Sequence, residues 1–282
     1  MSRVDQGPRM AARVDGPARR PRVALALGGG GARGLAHIGV LQVLELEGLV
    51  PSFVAGSSMG GLVGALHATG LPSRDLVEIA RSFHFPRWFL PGGLLGWGQI
   101  FPSAAAPLPA TFEDLATPLA LTAVDIEEGS QVVFHTGDLL PAVRATCAIP
   151  GVLPPERIGG RWLVDGGVVN VLPVDLAWMA DPDFVIAVCV GGPRARRLPQ
   201  LAWRTTGTLS RLGRLVPNPA TAKISFEMLT RAAEIILERQ TALCAAMTDP
   251  EVLIEPALGD MGLRDFHLLE DAVAAGRRAA EA

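Results

Sequence analysis

The run that follows Arg22, Val23-Ala-Leu-Ala-Leu27, is unbroken in its apolar character and ends in four consecutive glycines, Gly28 to Gly31. A stretch this short, with no polar alternation, fits a strand covered on both faces, as in a parallel sheet. The glycines behind it let the chain turn and let other groups approach the backbone. Residues 35–46 then read as a mostly buried helix, with Gln42 and Glu45 as its polar positions and Gly48 and Pro51 as its stop. A second strand at 52–55 precedes a second helix, Met59–Ala68, whose Gly60, Gly61 and Gly64 suit close packing on other backbone. Further strands are expected at 119–124, 131–134, 162–165, 184–190 and 252–254. Helices are expected from an Asp138 N-cap to about Ala148 and from about Asp265, with Phe266, Leu269 and Val273 at core spacing. Strands alternating with helices predict one α/β domain, with a central, mostly parallel sheet and helices on both faces. No internal repeat is present.

Composition supports that expectation and removes several functions. At 282 residues, 49% hydrophobic and 19% charged, the chain can bury a large core. A net charge of −3 gives no field that would favour nucleic acid. Cys147, Cys189 and Cys244 are odd in number and far apart, which suits neither a disulfide framework nor a metal knuckle, so a reducing, cytoplasmic setting is expected. Residues 1–21 carry scattered arginines with Asp5 and Asp15 and no apolar core, and read as a disordered tail ahead of a domain at 22–282. Two charge-free stretches, 48–73 and 88–112, are broken by prolines and glycines and are not read as membrane spans.

Gly29-Gly30-Gly31-Ala32-Arg33-Gly34 satisfies G-x-G-x-x-G, but dinucleotide binding also needs an acid at the end of the second strand. That strand ends in Ala55-Gly56-Ser57-Ser58, with no acid, and the lysine of a phosphate-binding loop is missing as well. What stands there is Gly56-Ser57-Ser58-Met59-Gly60, a G-x-S-x-G between an apolar strand and a helix, the context of a nucleophile elbow. The tight turn would lift Ser58 Oγ clear of the sheet, at the positive end of the following helix. Ser57 is the local competitor, on the x of the motif. A serine needs a base to take its proton and donors where negative charge develops. The amides of Gly29, Gly30 and Gly31 are natural donors. For the base, Asp165 in Asp165-Gly166-Gly167 can act alone, or with His267 in the order Ser58…Asp165…His267. His37, His67, His84 and His135 show no metal spacing, and no cofactor is implied.

These blocks together resemble the patatin-like phospholipases. Residues 27–34 are similar to the family's G-G-G-x-R/K-G block, 56–60 to its elbow, Ala145-Thr-Cys-Ala-Ile-Pro-Gly151 to its A-S-x-A-x-P segment, and Asp165-Gly166-Gly167 to its D-G-G, with Asn170 and Pro173 behind it. The similarity runs from about Val23 to the C-terminus. It implies a Ser58–Asp165 dyad without histidine, and an oxyanion hole from Gly29, Gly30 and Gly31. Arg33 would orient that loop and favour the anion, with Gly56, Gly60, Gly166 and Gly167 in support. The implied reaction is metal-free hydrolysis of lipid acyl esters through an acyl-enzyme. Gly28 departs from the family's usual Ser or Asp, and Thr146-Cys147 stands where its serine is usual.

Lipid contact has two candidate carriers. Residues 81–112 gather Phe83, Phe85, Trp88, Phe89, Trp97 and Phe101, and read either as a cap that meets an interface or as a buried loop. Residues 184–225 hold six arginines and Lys223 with no acid, suiting either an anionic membrane surface or a solvated linker. The expected localisation is cytoplasmic, with peripheral contact at the inner face of the membrane as the option these segments open, and the oligomeric state is open. A catalytically silent lipid-binding protein on the same fold is the competing class. His267→Ala separates the two hydrolase mechanisms: ester hydrolysis is expected to persist with the dyad and to vanish with the triad.

Overall fold

A computed structural model describes residues 21–84, 96–191 and 219–282. The expected tail up to residue 20, Trp88 in the expected cap, and the arginines from Arg194 to Arg214 lie outside them. In chain order the elements are β1 (Val23–Leu27), α1 (Ala36–Leu46), β2 (Phe53–Ser57), α2 (Met59–Ala68), α3 (Ser73–Ala80), α4 (Trp97–Ile100), β3 (Leu119–Asp125), β4 (Ser130–Phe134), α5 (Leu139–Thr146), β5 (Glu156–Ile158), β6 (Arg161–Asp165), α6 (Val174–Trp178), β7 (Phe184–Val188), α7 (Pro219–Thr248), β8 (Val252–Ile254) and α8 (Leu269–Ala280). Single 3-10 turns at Gly31–Leu35 and Phe266–Leu268 lead into α1 and α8, so both helices begin slightly later than their apolar patterns suggest. Asp138 stands at the N-cap of α5, but its side chain makes no capping bond.

The eight strands form one sheet in the order β5-β6-β3-β2-β1-β7-β8, with β4 also paired to β3. From β3 through β2, β1 and β7 to β8 all pairings are parallel; β4, β6 and β5 add antiparallel pairings at one end. The α/β class and mostly parallel sheet expected from the sequence are those observed.

Successive side chains of a strand point to opposite faces, and here the two faces differ in size. Val23, Leu25 and Leu27 of β1, with Leu119 and Leu121 of β3, enter the larger core beneath α1, α2, α3, α5 and α8. Ala24, Ala26, Ala55, Ala120 and Ala187 form the other face, against α6 and the Leu237 and Cys244 positions of α7. Among the described residues no helix is long and apolar enough to cross a membrane.

Helix α8 closes the larger core by lying along α1. Two glycines permit the approach: a Cβ at Gly39 would stand 1.9 Å from the Val273 carbonyl oxygen, and one at Gly276 would stand 1.9 Å from that of Ala36. Backbone meets backbone at both points, so neither side can give way by a rotamer change. Gly39→Ala and Gly276→Ala are each expected to cost about 1–3 kcal/mol, read as a fall of several degrees in Tm. Gly98→Ala, with open space around it, is the control expected to melt like wild type.

Candidate active site

The pairing of β3 brings two distant segments together. β2 runs parallel to β3 along residues 119–122, with Ser57 opposite Thr122. β6 runs antiparallel along 123–125, with Asp165 opposite Ala123. β4 pairs with residues 121–125, so it takes the other side of β3 and leaves β2 and β6 on the same side. Those two strands therefore point at one another, and their C-terminal tips meet. Gly166 has to be a glycine at this junction, because a Cβ there would stand 2.3 Å from the Thr122 carbonyl oxygen.

At the tip of β2 the chain turns sharply into α2. Ser58 takes φ 52° and ψ −126°, a conformation that costs a non-glycine residue on the order of 1–3 kcal/mol. Its flanking glycines are required by contact: a Cβ at Gly56 would lie 2.5 Å from Gly61 Cα, and one at Gly60 would lie 2.2 Å from the Leu27 carbonyl oxygen. Ser58 Oγ donates to Asp165 Oδ2 at 2.6 Å, and both residues are buried. Ser57, the competing serine, is fully buried and its Oγ has no hydrogen-bond partner among the described residues.

The second Asp165 oxygen, Oδ1, accepts the Gly167 N–H at 2.8 Å. Burial opposes the charged carboxylate and pushes the Asp165 pKa up to about 7, while the bonds from Ser58 and Gly167 act in the other direction. A carboxylate with this affinity for protons is matched to proton transfer near neutrality. Close by, burial and the charge of Asp165 both raise the Cys147 thiol pKa, which keeps that thiol protonated.

The glycine loop lies against the elbow: a Cβ at Gly29 would be 3.1 Å from Ser58 Cβ. The three amides differ in what they can offer. Gly29 N–H already donates to the Val171 carbonyl at 2.8 Å, whereas among the described residues those of Gly30 and Gly31 have no hydrogen-bond acceptor. Of the three expected donors, Gly29 thus has its N–H engaged with backbone. Gly31 has φ 55°, and a Cβ there would collide with the Leu263 carbonyl at 2.4 Å. Arg33 is buried, and its Nε donates to the Met261 carbonyl at 2.9 Å, which ties the loop to residues 261–263. His37 Nε2 donates to the Gly28 carbonyl at 2.7 Å. Burial lowers its pKa to about 4, so it acts as a neutral prop.

Several sequence expectations end elsewhere. His267 is exposed beside α8 and, among the described residues, makes no hydrogen bond to Ser58 or Asp165. Trp97 is partly buried, its ring 5.4 Å from that of Phe101, with the Arg144 guanidinium 5.9 Å from the Trp97 centroid. Phe101 stacks in turn on Phe83 and Phe266. The described aromatics of the 81–112 segment thus belong to the buried-loop alternative. Two contacts of the elbow were not foreseen: Ser58 N–H donates to Thr146 Oγ1 at 2.9 Å, and Cys147 Sγ donates to the Ser58 carbonyl at 3.4 Å. Their only sequence signal was that the pair stands at a motif position where serine is usual. Among the described residues no three His, Cys, Asp or Glu side chains gather as metal ligands.

Comparison with known proteins follows the same residues. Residues 25–178 match the family model described as Patatin-like phospholipase. An uncharacterized NTE family protein of Mycobacterium tuberculosis is 38% identical over 187 residues, covering 62% of this chain and 51% of that protein. A second uncharacterized NTE family protein of the same organism is 32% identical over 272 residues, covering 92% of this chain and 46% of that protein. The patatin-like phospholipase domain-containing protein 6 of Mus musculus is 33% identical over 196 residues, 60% of this chain and 13% of that protein. The chain thus spans about half the length of its mycobacterial relatives.

The raised pKa of Asp165 has a consequence for stability. Unfolded, the carboxyl titrates near its ordinary 3.8; folded, near about 7. Between those values the folded protein holds a proton that the unfolded chain has released, so stability falls as pH rises from about 4 to about 7 and stays reduced above. The full shift corresponds to on the order of 4 kcal/mol. Asp165→Asn is therefore expected to raise Tm at pH 8 and to leave it unchanged at pH 3.5, as read by thermal melts at both values.

Proposed function

The chain belongs to the patatin-like phospholipase family, and on that premise we propose that it is a serine hydrolase of lipid acyl esters, acting on phospholipids or lysophospholipids through an acyl-enzyme. The observation that carries this reading is the 2.6 Å bond from Ser58 Oγ to Asp165 Oδ2. A strained, buried serine that donates its hydroxyl proton to a carboxylate of pKa about 7 is a nucleophile with its base in place.

In the proposed reaction Asp165 takes the Ser58 proton as Oγ attacks the acyl carbon. The carbonyl π pair moves onto oxygen, and the N–H groups of Gly30 and Gly31 receive the resulting oxyanion. The intermediate collapses, the bond to the leaving alkoxide breaks, and the proton on Asp165 passes to that oxygen, releasing the alcohol or lysolipid. Water then attacks the acyl-Ser58 ester with Asp165 as base again. Fatty acid leaves, and Ser58 recovers its proton. Every group used is a side chain or a backbone amide of this chain, so the route calls for no metal or cofactor. Arg33 contributes by holding the loop through Met261. Gly56, Gly60, Gly166 and Gly167 contribute by allowing the turns.

Delivery of lipid is proposed to be peripheral, from the cytoplasmic side of a membrane. Val168 and Val169 follow directly on the Asp165-Gly166-Gly167 turn and are 41% and 42% exposed, an apolar rim next to the dyad. Gln240 of α7 reaches the same turn, donating to the Val168 carbonyl at 2.9 Å, and Ile236 and Leu243 of that helix are exposed as well. The oligomeric state is no part of the proposal.

Intact mass after treatment with a lipophilic fluorophosphonate tests the reading on wild type and Ser58→Ala. One adduct on wild type and none on the variant is the expected result, with the labelling rate rising about tenfold per pH unit below about 7 and levelling above, as Asp165 deprotonates. No adduct on folded wild type would instead favour a silent lipid-binding protein on this fold.

A further inference from the structure

Ser58 holds a backbone conformation that persists only where surrounding contacts enforce it, and one short segment supplies several of those contacts. Residues 146–148, at the C-terminal end of α5, bond to both members of the Ser58–Asp165 pair. Thr146 Oγ1 accepts the Ser58 N–H at 2.9 Å, Cys147 Sγ donates to the Ser58 carbonyl at 3.4 Å, and the Ala148 carbonyl accepts the Asp165 N–H at 3.0 Å. Three successive residues therefore touch both groups, which lie 107 positions apart in the chain.

The two bonds to Ser58 are unequal. Its carbonyl also accepts the Leu62 N–H at 3.0 Å, from the first turn of α2, and so stays satisfied if the thiol is removed. Its N–H has the Thr146 hydroxyl as its acceptor, and Thr146 is fully buried. Loss of that acceptor leaves a buried donor unpaired. The local way to relieve it is to rotate the Ser57–Ser58 peptide, which swings Ser58 Cβ and Oγ away from Asp165. The Thr146 methyl packs where α2 begins, since a Cβ at Gly61 would lie 2.9 Å from Thr146 Cγ2.

We propose that Thr146 is a positioning residue for the chemistry of Ser58: its hydroxyl, by accepting the Ser58 N–H, holds the elbow in its strained turn and keeps Oγ within bonding distance of Asp165. This rests on Ser58 being the nucleophile. The residue acts through Ser58 and touches no substrate, so its removal slows the covalent step and leaves probe binding alone.

The test measures kinact and KI for a lipophilic fluorophosphonate on wild type, Thr146→Val, Thr146→Ser and Cys147→Ala, with circular dichroism to establish folding. Thr146→Val keeps the shape and loses the acceptor. Its kinact is expected to fall at least about tenfold, equivalent to about 1.4 kcal/mol, with KI within about twofold of wild type. Thr146→Ser restores the acceptor and should react within about threefold of wild type, as should Cys147→Ala, whose carbonyl partner keeps Leu62. If the valine variant does not fold, Thr146→Ala takes its place with the same expected loss. A folded valine or alanine variant labelled at the wild-type rate overturns the proposal. So does a serine variant as slow as valine, because restoring the acceptor would then fail to restore the rate. Wild type that takes no adduct removes the nucleophile assignment and this inference together, which separates that failure from the other two.

Discussion

Strand β3 is longer than its parallel neighbour β2, and the remainder beyond Thr122 pairs with β6 in the opposite sense. The tips of the two strands, Ser57 and Asp165, stand opposite adjacent β3 residues, Thr122 and Ala123, so Ser58 and Asp165 meet where the strands end. Parallel strands alone would carry their C-terminal ends to one edge of the sheet, side by side. The antiparallel return of β6 is what puts the carboxylate in front of the hydroxyl. Gly166 follows from this junction, Gly56 from the turn into α2 and Gly60 from the end of β1, since each faces backbone within 2.6 Å of where a Cβ would stand.

The same junction imposes opposed demands on stability. Ser58 is held at positive φ, and Asp165 is buried with two hydrogen-bond donors to its carboxylate among the described residues. Both features are unfavourable taken alone, and both are tolerated because the sheet behind them is packed on two faces. Val23, Leu25 and Leu27 sit in the larger core and Ala24 and Ala26 in the smaller one, so β1 cannot shift without disturbing both. The glycine loop that continues β1 is tied down at Gly28 by His37 and Val188, at Gly29 by Val171, and at Arg33 by Met261. Gly30 and Gly31 lie between these ties with their amides unspent on backbone.

Much of this was legible in particular residues. Apolar runs ending in glycine located β1 and β2, and the helix Met59–Ala68 was found at its full extent. Strand β2 runs on to Ser57, two residues beyond the expected end, because glycine at 56 does not stop pairing when β3 lies alongside. Helix α7 was missed: no apolar stripe in 219–248 is strong enough to mark it. Arg33 showed as a basic position in a glycine loop, but its bond to Met261, 228 residues away, has no local trace. Thr146 and Cys147 were visible as a departure from a motif, and their contacts with Ser58 were not.

The sequence by itself determined the α/β class, the elbow at 56–60, the glycine loop and the candidate carboxylate, because each depends on short-range constraints: burial pattern, turn sterics and the absence of a Cβ. Tertiary structure alone decided which groups meet. It paired Ser58 with Asp165, left His267 exposed, committed the Gly29 N–H to Val171, and brought residues 146–148 against both Ser58 and Asp165. Those outcomes depend on strand order, register and direction across more than a hundred residues. Such long-range pairings are chosen by the summed packing of both cores, and no local pattern records them.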